Sequence, residues 1–347
     1  MPDELTDPLP HRRRKRYPGK NPRRFEDKYK ELNADDYPET VDKVLASGKT
    51  PAGTHRSIMV EEILRVLDPK PGEIAVDCTL GYGGHSRAIL PLIQPGGRLV
   101  GLDVDPIELP KTEARLRSLG FGPETFTVHR SNFAGLRKIL VGENIAGADL
   151  ILADLGVSSM QLDDPARGFT VKFQGPLDMR MNPRRGQSAS DLLRGISSKK
   201  LEQLLKENAD EPHARSLAAT LAGQHFATTT ALGDAIRHAL SRSSSDDERD
   251  KSVRRVFQAL RIAVNEELVA LDNFFRLLPE CVNPDGRIAI LTFHSGEDRR
   301  VKNAFEAGRR DGIYTDISDE AIRPTFAEIR NNPRSRSAKL RWARRIG

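Results

Sequence analysis

"VDCTLGYGGHSRAIL", Val76 to Leu90, runs from an apolar, strand-length segment through a glycine-rich turn into a helix-like segment. Gly81, Gly83 and Gly84 permit backbone conformations that side chains resist, so a ligand can approach the main chain closely there. A dinucleotide fingerprint G-x-G-x-x-G needs a third glycine where Ser86 stands, so that motif is defective. The next apolar run, "GLDVDP", ends at Asp103, placed to accept hydrogen bonds from ribose hydroxyls. Glycine turn and strand-end acid together read as a nucleoside site, for NAD or S-adenosylmethionine. The alternative is an ordinary strand-to-helix turn with a helix-capping aspartate.

Outward from this stretch, Val76–Leu80, Arg98–Asp103, Leu150–Asp154 and Arg287–Phe293 are short apolar runs separated by helical or loop segments. That alternation predicts an α/β fold with a mostly parallel, doubly wound sheet. Residues 252–282 carry apolar side chains at three- and four-residue steps, Val253, Val256, Phe257, Leu260 and Val264 among them, and predict a long core helix region. Between 164 and 250 no strand is expected; Leu192–Leu205 and Ala214–Leu240 read as helices, and "SRSSSDDERD" (241–250) as a linker. The expected organisation is an α/β domain over 51–163 and 251–347, a helical insertion over 164–250, and a basic, disordered extension over 1–50.

Asp154 ends the run "ADLILAD", at the sheet edge where ligands of open α/β folds bind. Hydride transfer would require a cation, hydroxyl or imidazole poised on a carbonyl, and none is placed there. Methyl transfer to an exocyclic base amine requires a group that orients the amine and accepts an N–H proton as charge develops on nitrogen, which a carboxylate can do. The turn after it, "DLGVSS", lacks the aromatic of the D/N/S-P-P-Y turn found in amino-methyltransferases at large, so a stacking aromatic must come from elsewhere.

Of 347 residues, 37% are apolar and 30% charged, and no run approaches the length of a membrane span or a secretory signal. A cytoplasmic location and no membrane partner are therefore expected. Two cysteines, Cys78 and Cys281, exclude a disulfide framework and read as core, and no cluster has metal-ligand spacing, so no metal is expected. The net charge of +6 is uneven: eight Lys/Arg and no acid occupy 11–24, seven and no acid occupy 330–347, and the remainder is formally acidic. Such ends suit a polyanion or simply keep the chain solvated. The sequence leaves an oligomer open.

The stretches "HRSIMVEEIL", "DCTLGYGGHS", "GLDVDP", "ADLGVSSMQLDDPARGFTVKFQGPLDMRMNP", "RVFQALRIAVNEEL", "LTFHSGEDRRVKNAF" and "NPRSRSAKLRWARRI" resemble, in order, the signatures of the bacterial 16S rRNA (cytosine-N4)-methyltransferases, the RsmH or MraW family. The resemblance runs from His55 to the C-terminus. It implies a Rossmann-like, S-adenosylmethionine-dependent fold with an inserted helical domain, and methylation of N4 of a decoding-site cytidine in small-subunit rRNA. Matched positions imply Gly83, Gly84 and His85 around the methionine part of the cofactor, Asp103 on its ribose, Phe133 beside adenine, and Asp154 and Gln161 as further cofactor contacts. Without the family match, Phe133 reads as a strand-end core aromatic. Asp154 is thus asked to serve both cofactor and acceptor amine. Three departures stand out: "HRSIMV" lacks the family's proline, Gly296 replaces a leucine, and "DKSVRRVFQ" lacks a His-Pro.

His294, just past an apolar strand, is a second catalytic candidate, or a structural hydrogen bonder. Arg167, Lys172 and Arg180 are expected on an RNA-facing loop, with an internal Asp178–Arg180 pair as the alternative. Arg341, Arg344 and Arg345 are expected to meet phosphates, and Trp342 to stack on a base or anchor the tail. Three function classes follow: an rRNA methyltransferase, a catalytically inactive rRNA-binding or ribosome assembly protein on the same fold, and a nicotinamide oxidoreductase. Intact Gly83, Gly84, Asp103 and Asp154 count against the second, and the missing third glycine against the last.

Overall fold

The computed structural model describes residues 57–241 and 244–347; the expected extension over 1–50 lies outside them. Seven strands make one sheet: β1 (Ile74–Asp77), β2 (Arg98–Asp103), β3 (Phe126–Arg130), β4 (Ala148–Asp154), β5 (Val282–Thr292), β6 (Tyr314–Ile317) and β7 (Lys339–Arg345), in the order β3-β2-β1-β4-β5-β7-β6. Strands β1 to β5 are mutually parallel, and β7 runs antiparallel between β5 and β6. The chain leaves β1 in one direction and returns at β4 to continue in the other, so a crevice opens at the carboxyl ends of β1 and β4. The mostly parallel α/β fold matches the expectation.

Period-two alternation sends side chains to opposite faces. Val76, Val100, Ile151 and Ile288 pack against α4 (Leu136–Gly142), α11 (Glu267–Leu277) and α12 (Ser295–Arg310). Ala75, Leu99, Leu150 and Ala289 pack against α1 (Val60–Leu67), α2 (Gly84–Ile89) and α3 (Glu108–Ser118). Cys78 and Cys281 are free and buried.

Strands β3, β6 and β7 were not expected. In β7 the basic residues alternate with Leu340 and Ala343, which are fully buried, so what reads as a charged tail is an interior strand. Strand β1 ends at Asp77 rather than Leu80, because the glycine turn begins earlier.

After the short helix α5 (Ser159–Asp163), the inserted segment contributes α6 (Ala189–Gly195), α7 (Ser198–Ala209), α8 (Ala214–Leu221) and α9 (Thr229–Ala239), with Ser188, Ser197 and Thr228 as side-chain N-caps of α6, α7 and α9. Helix α10 (Asp246–Val264) joins the same apolar cluster through Val253, Val256, Phe257 and Leu260, past the expected boundary at 250. "SSSDDERD" is no linker beyond Ser245. That serine accepts from the Glu248 N–H, and Asp246, Asp247 and Glu248 fill the first turn, where the helix dipole favours acids. The single long helix expected over 252–282 is broken at Asn265–Glu266. Glu266 adopts φ 51°, and the Asn265 side chain bonds Met181 N–H and the Met179 and Arg261 carbonyls.

Candidate active site

Three strands that meet at the crevice end in aspartates: Asp77 on β1, Asp103 on β2 and Asp154 on β4. The glycine turn hangs from them. Gly81 N–H donates to Asp103 Oδ2 (2.7 Å) and Asp105 N–H to Asp103 Oδ1 (2.8 Å). Asp77 accepts from Ser86 Oγ (2.7 Å) and Thr79 N–H, while Thr79 Oγ1 accepts from Asp154 N–H (2.6 Å). Gly83 sits at φ 80°, and a Cβ there would come 2.9 Å from Thr112 Cγ2; one on Gly84 would come 1.9 Å from Ser57 Oγ. The turn therefore needs Gly83 for its path and Gly84 for its close approach to Ser57. Asp77 went unassigned in the sequence; its position at the end of β1 in "VDCT" is the signal that could have found it.

Burial raises the Asp154 carboxyl to about 6; His85 opposes that rise, and Asp77 and Glu297 add to it. Burial likewise raises Asp103 to about 6, against hydrogen bonds from Asp105 and Gly81. Asp77 is also raised, by burial. Three carboxyls whose charge is disfavoured by burial thus gather at one sheet edge, where a cationic ligand would favour their ionised form. His85 Nδ1 lies 3.7 Å from Asp154 Oδ2, and its Nε2 lies 3.0 Å from the Ile58 carbonyl oxygen. No group of three or more His, Cys, Asp or Glu has metal-holding geometry among the described residues.

Asp105, buried beyond the end of β2, accepts from Gln161 Nε2 and Arg167 Nη1, both at 2.8 Å. Gln161 also completes a capping box with Ser158. These contacts bind the glycine turn to the start of the inserted segment.

The profile of the MraW methylase family matches residues 52–346. The chain belongs to this family. Ribosomal RNA small subunit methyltransferase H 1 of Lachnoclostridium phytofermentans is 47% identical, covering 99% of this chain and 95% of that protein. The protein of the same name from Agathobacter rectalis is also 47% identical, covering 98% and 99%. Both alignments therefore take in nearly all of the N-terminal extension, beyond the stretch where the resemblance was legible. Among solved structures, an S-adenosylmethionine-dependent O-methyltransferase from Thermotoga maritima is similar at TM-score 0.40 and 9% identity, covering 89% of this chain and 71% of that one.

In this MraW-family chain the other candidate residues fall in several places. Phe133 opens a short 3-10 turn after β3 and meets Phe274 edge-on, ring centroids 5.4 Å apart, so it borders the core. His294 caps α12: its Nδ1 accepts from Glu297 N–H (3.4 Å), and its Nε2 lies 3.1 Å from Glu297 Oε1. Glu297 is buried, 3% exposed, and also accepts from Phe293 N–H. Burial works against its charge, but His294, Arg261 and that N–H outweigh it and hold the carboxyl below its ordinary range. Glu297 borders Asp154 electrostatically and was missed because "GEDRR" reads as a solvated helix start.

The expected RNA-facing loop is corrected in part. Arg167 is buried and spent on Asp105 and the Arg180 and Met181 carbonyls. Arg180 forms the internal pair, donating to both oxygens of Asp178 (2.8 and 2.6 Å). Lys172 is exposed and makes no ion pair among the described residues. Of the tail residues expected to meet phosphates, Arg341 is corrected, being buried against Asp298 (2.7 Å); Arg344 stays exposed in a surface pair with Asp285 (3.1 Å), and Arg345 donates to the Val282 carbonyl. Trp342 pairs with Ala289 across the sheet, as an anchor would.

Proposed function

We propose that this chain methylates N4 of a cytidine in the 16S rRNA of the small ribosomal subunit, with S-adenosylmethionine as donor. The observation that carries the reading is Asp154, a strand-end carboxylate raised to about 6, beside the close-packed glycine turn and Asp103. Membership in a methylase family and relatives named for the small-subunit rRNA support the substrate class. The residues fit the cofactor: Gly83 and Gly84 are close-packed with no space for a Cβ, Asp103 keeps free lone pairs for ribose hydroxyls, and the acidic edge suits a sulfonium. Gly83, Gly84, His85, Asp103, Phe133 and Gln161 would hold it. When bound, S-adenosylmethionine supplies an electrophilic methyl group.

Asp154 then orients the acceptor amine and accepts one of its protons as positive charge grows on nitrogen. His294, whose Nδ1 accepts from the Glu297 N–H and whose buried Nε2 lies 3.1 Å from Glu297 Oε1 without hydrogen-bond geometry, acts as a positioning residue for the helix that borders Asp154. Incubating the full chain with unmethylated small subunits and labelled donor, then identifying the product nucleoside, tests the reading. N4-methylcytidine supports it. Binding without transfer would favour the inactive assembly protein, and a different methylated nucleoside would overturn the cytosine-N4 assignment.

A further inference from the structure

The connection from β6 to β7, residues 318–338, leaves the sheet at Ile317 and rejoins it at Lys339. Strand β6 runs with the parallel strands and β7 against them, so both ends of this connection lie at the edge that holds Asp77, Asp103 and Asp154. Two contacts tie it to elements beside the site. Arg334 donates to Asp163 and to the Ser159 carbonyl, tying the connection to helix α5, which follows Asp154. Glu328 Oε1 accepts from Met59 N–H (2.7 Å), and the other side of that same peptide, the Ile58 carbonyl, contacts His85 Nε2.

Two residues before Glu328, in helix α13 (Phe326–Asn331), Phe326 is 94% exposed. An aromatic ring held in water on an anchored helix forgoes burial worth having. On the same connection Arg323, Arg330 and Arg336 are exposed and make no ion pair among the described residues, outnumbering the one exposed acid left there, Glu320, while Asp319 is engaged by Arg309. An exposed ring amid unneutralised arginines is the chemistry that meets single-stranded nucleic acid, through base stacking and phosphate contact.

We propose that the β6–β7 connection is an RNA-docking rim, with Phe326 stacking on an unpaired base beside the acceptor nucleotide and Arg323, Arg330 and Arg336 meeting flanking phosphates. This rests on the rRNA reading above. The test uses the full chain and unmethylated small subunits, with subunit binding measured apart from S-adenosylmethionine binding. F326A should weaken subunit binding about tenfold and leave donor affinity and the far-UV circular dichroism spectrum unchanged, and F326Y should restore binding. The combined R323Q, R330Q and R336Q variant should lower the slope of log affinity against log salt by about 2. Wild-type transfer with F326A binding unchanged overturns the rim alone. A wild-type chain that neither binds nor methylates the subunit overturns the functional reading itself. Equal loss in F326A and F326Y assigns Phe326 a structural role and also overturns the rim.

Discussion

His85 presents Nδ1 to Asp154 Oδ2 at 3.7 Å while the Ile58 carbonyl faces its Nε2. A carbonyl only accepts, so Nε2 carries a proton, and a neutral imidazole then turns a lone pair toward Asp154. The two groups attract only when a proton lies between them. The expected outcome is an acid limb in kcat/KM near pH 6, with activity rising as pH rises through it, because the carboxylate is the base. Since His85 works to lower Asp154, H85L should move that limb toward neutrality. A pH–rate series on both proteins checks it; an unmoved limb would remove His85 from the proton's path.

The same burial has a cost in stability. Asp154 titrates higher in the folded chain than its ordinary 3.8, so its favourable contribution is complete below that value and is lost as pH rises through about 6. At pH 7.5 the free protein carries a partly buried charge, its side chain 27% exposed, that an amide would not. D154N should therefore raise stability by about 1–2 kcal/mol at pH 7.5, with the gain shrinking as pH falls toward 4. Turnover should drop about 100-fold or more. Thermal melts at the two pH values and saturated-donor rates measure both effects together.

Four of the five parallel strands, β1, β2, β4 and β5, were legible because their buried residues read as apolar runs, whereas β3, only half-buried as "FTVHR", did not stand out. Strand β7 was not, since Arg341 is neutralised by Asp298, a partner 43 residues away that no local pattern announces. The glycine turn and two of its strand-end acids, Asp103 and Asp154, were legible because the left-handed backbone at Gly83 and the close approach at Gly84 are written in residue type. Arg167 misled for the opposite reason: a basic residue among glycines and prolines looks solvent-facing, and only the fold brings Asp105 and Gln161 to it. The Asn265 break was hidden because the apolar stripe continues across it in phase.

Arg167 and Lys172 should separate structure from RNA contact. R167M leaves the Asp105 carboxylate buried without its cation and should cost about 3–5 kcal/mol, with the salt dependence of subunit binding unchanged. R341Q should cost less, about 1–3 kcal/mol, because Lys339 stays paired with Asp298 at 2.7 Å. K172Q should leave stability within about 0.5 kcal/mol. If it meets a phosphate, it lowers the salt slope by about 0.7. Denaturant melts and salt titrations on the three variants read these outcomes, and a salt slope that falls in R167M would return Arg167 to the RNA interface.

His294 poses the sharper choice, because a histidine beside a site invites a proton-transfer role. Its geometry argues otherwise: one ring nitrogen caps the Glu297 N–H and the other faces the Glu297 carboxylate, so neither is turned to the crevice. Asparagine can still cap α12 through its side-chain oxygen but leaves Glu297 without its neighbour. H294N should lose about 1–3 kcal/mol of stability and keep both the acid limb of Asp154 and turnover within about tenfold. A general acid or base would instead lose about 100-fold or more in turnover with the limb displaced or gone. Measuring kcat at saturating donor across pH, alongside a melt of the same protein, distinguishes a cap from a catalyst, and only the second pattern would place His294 in the chemistry.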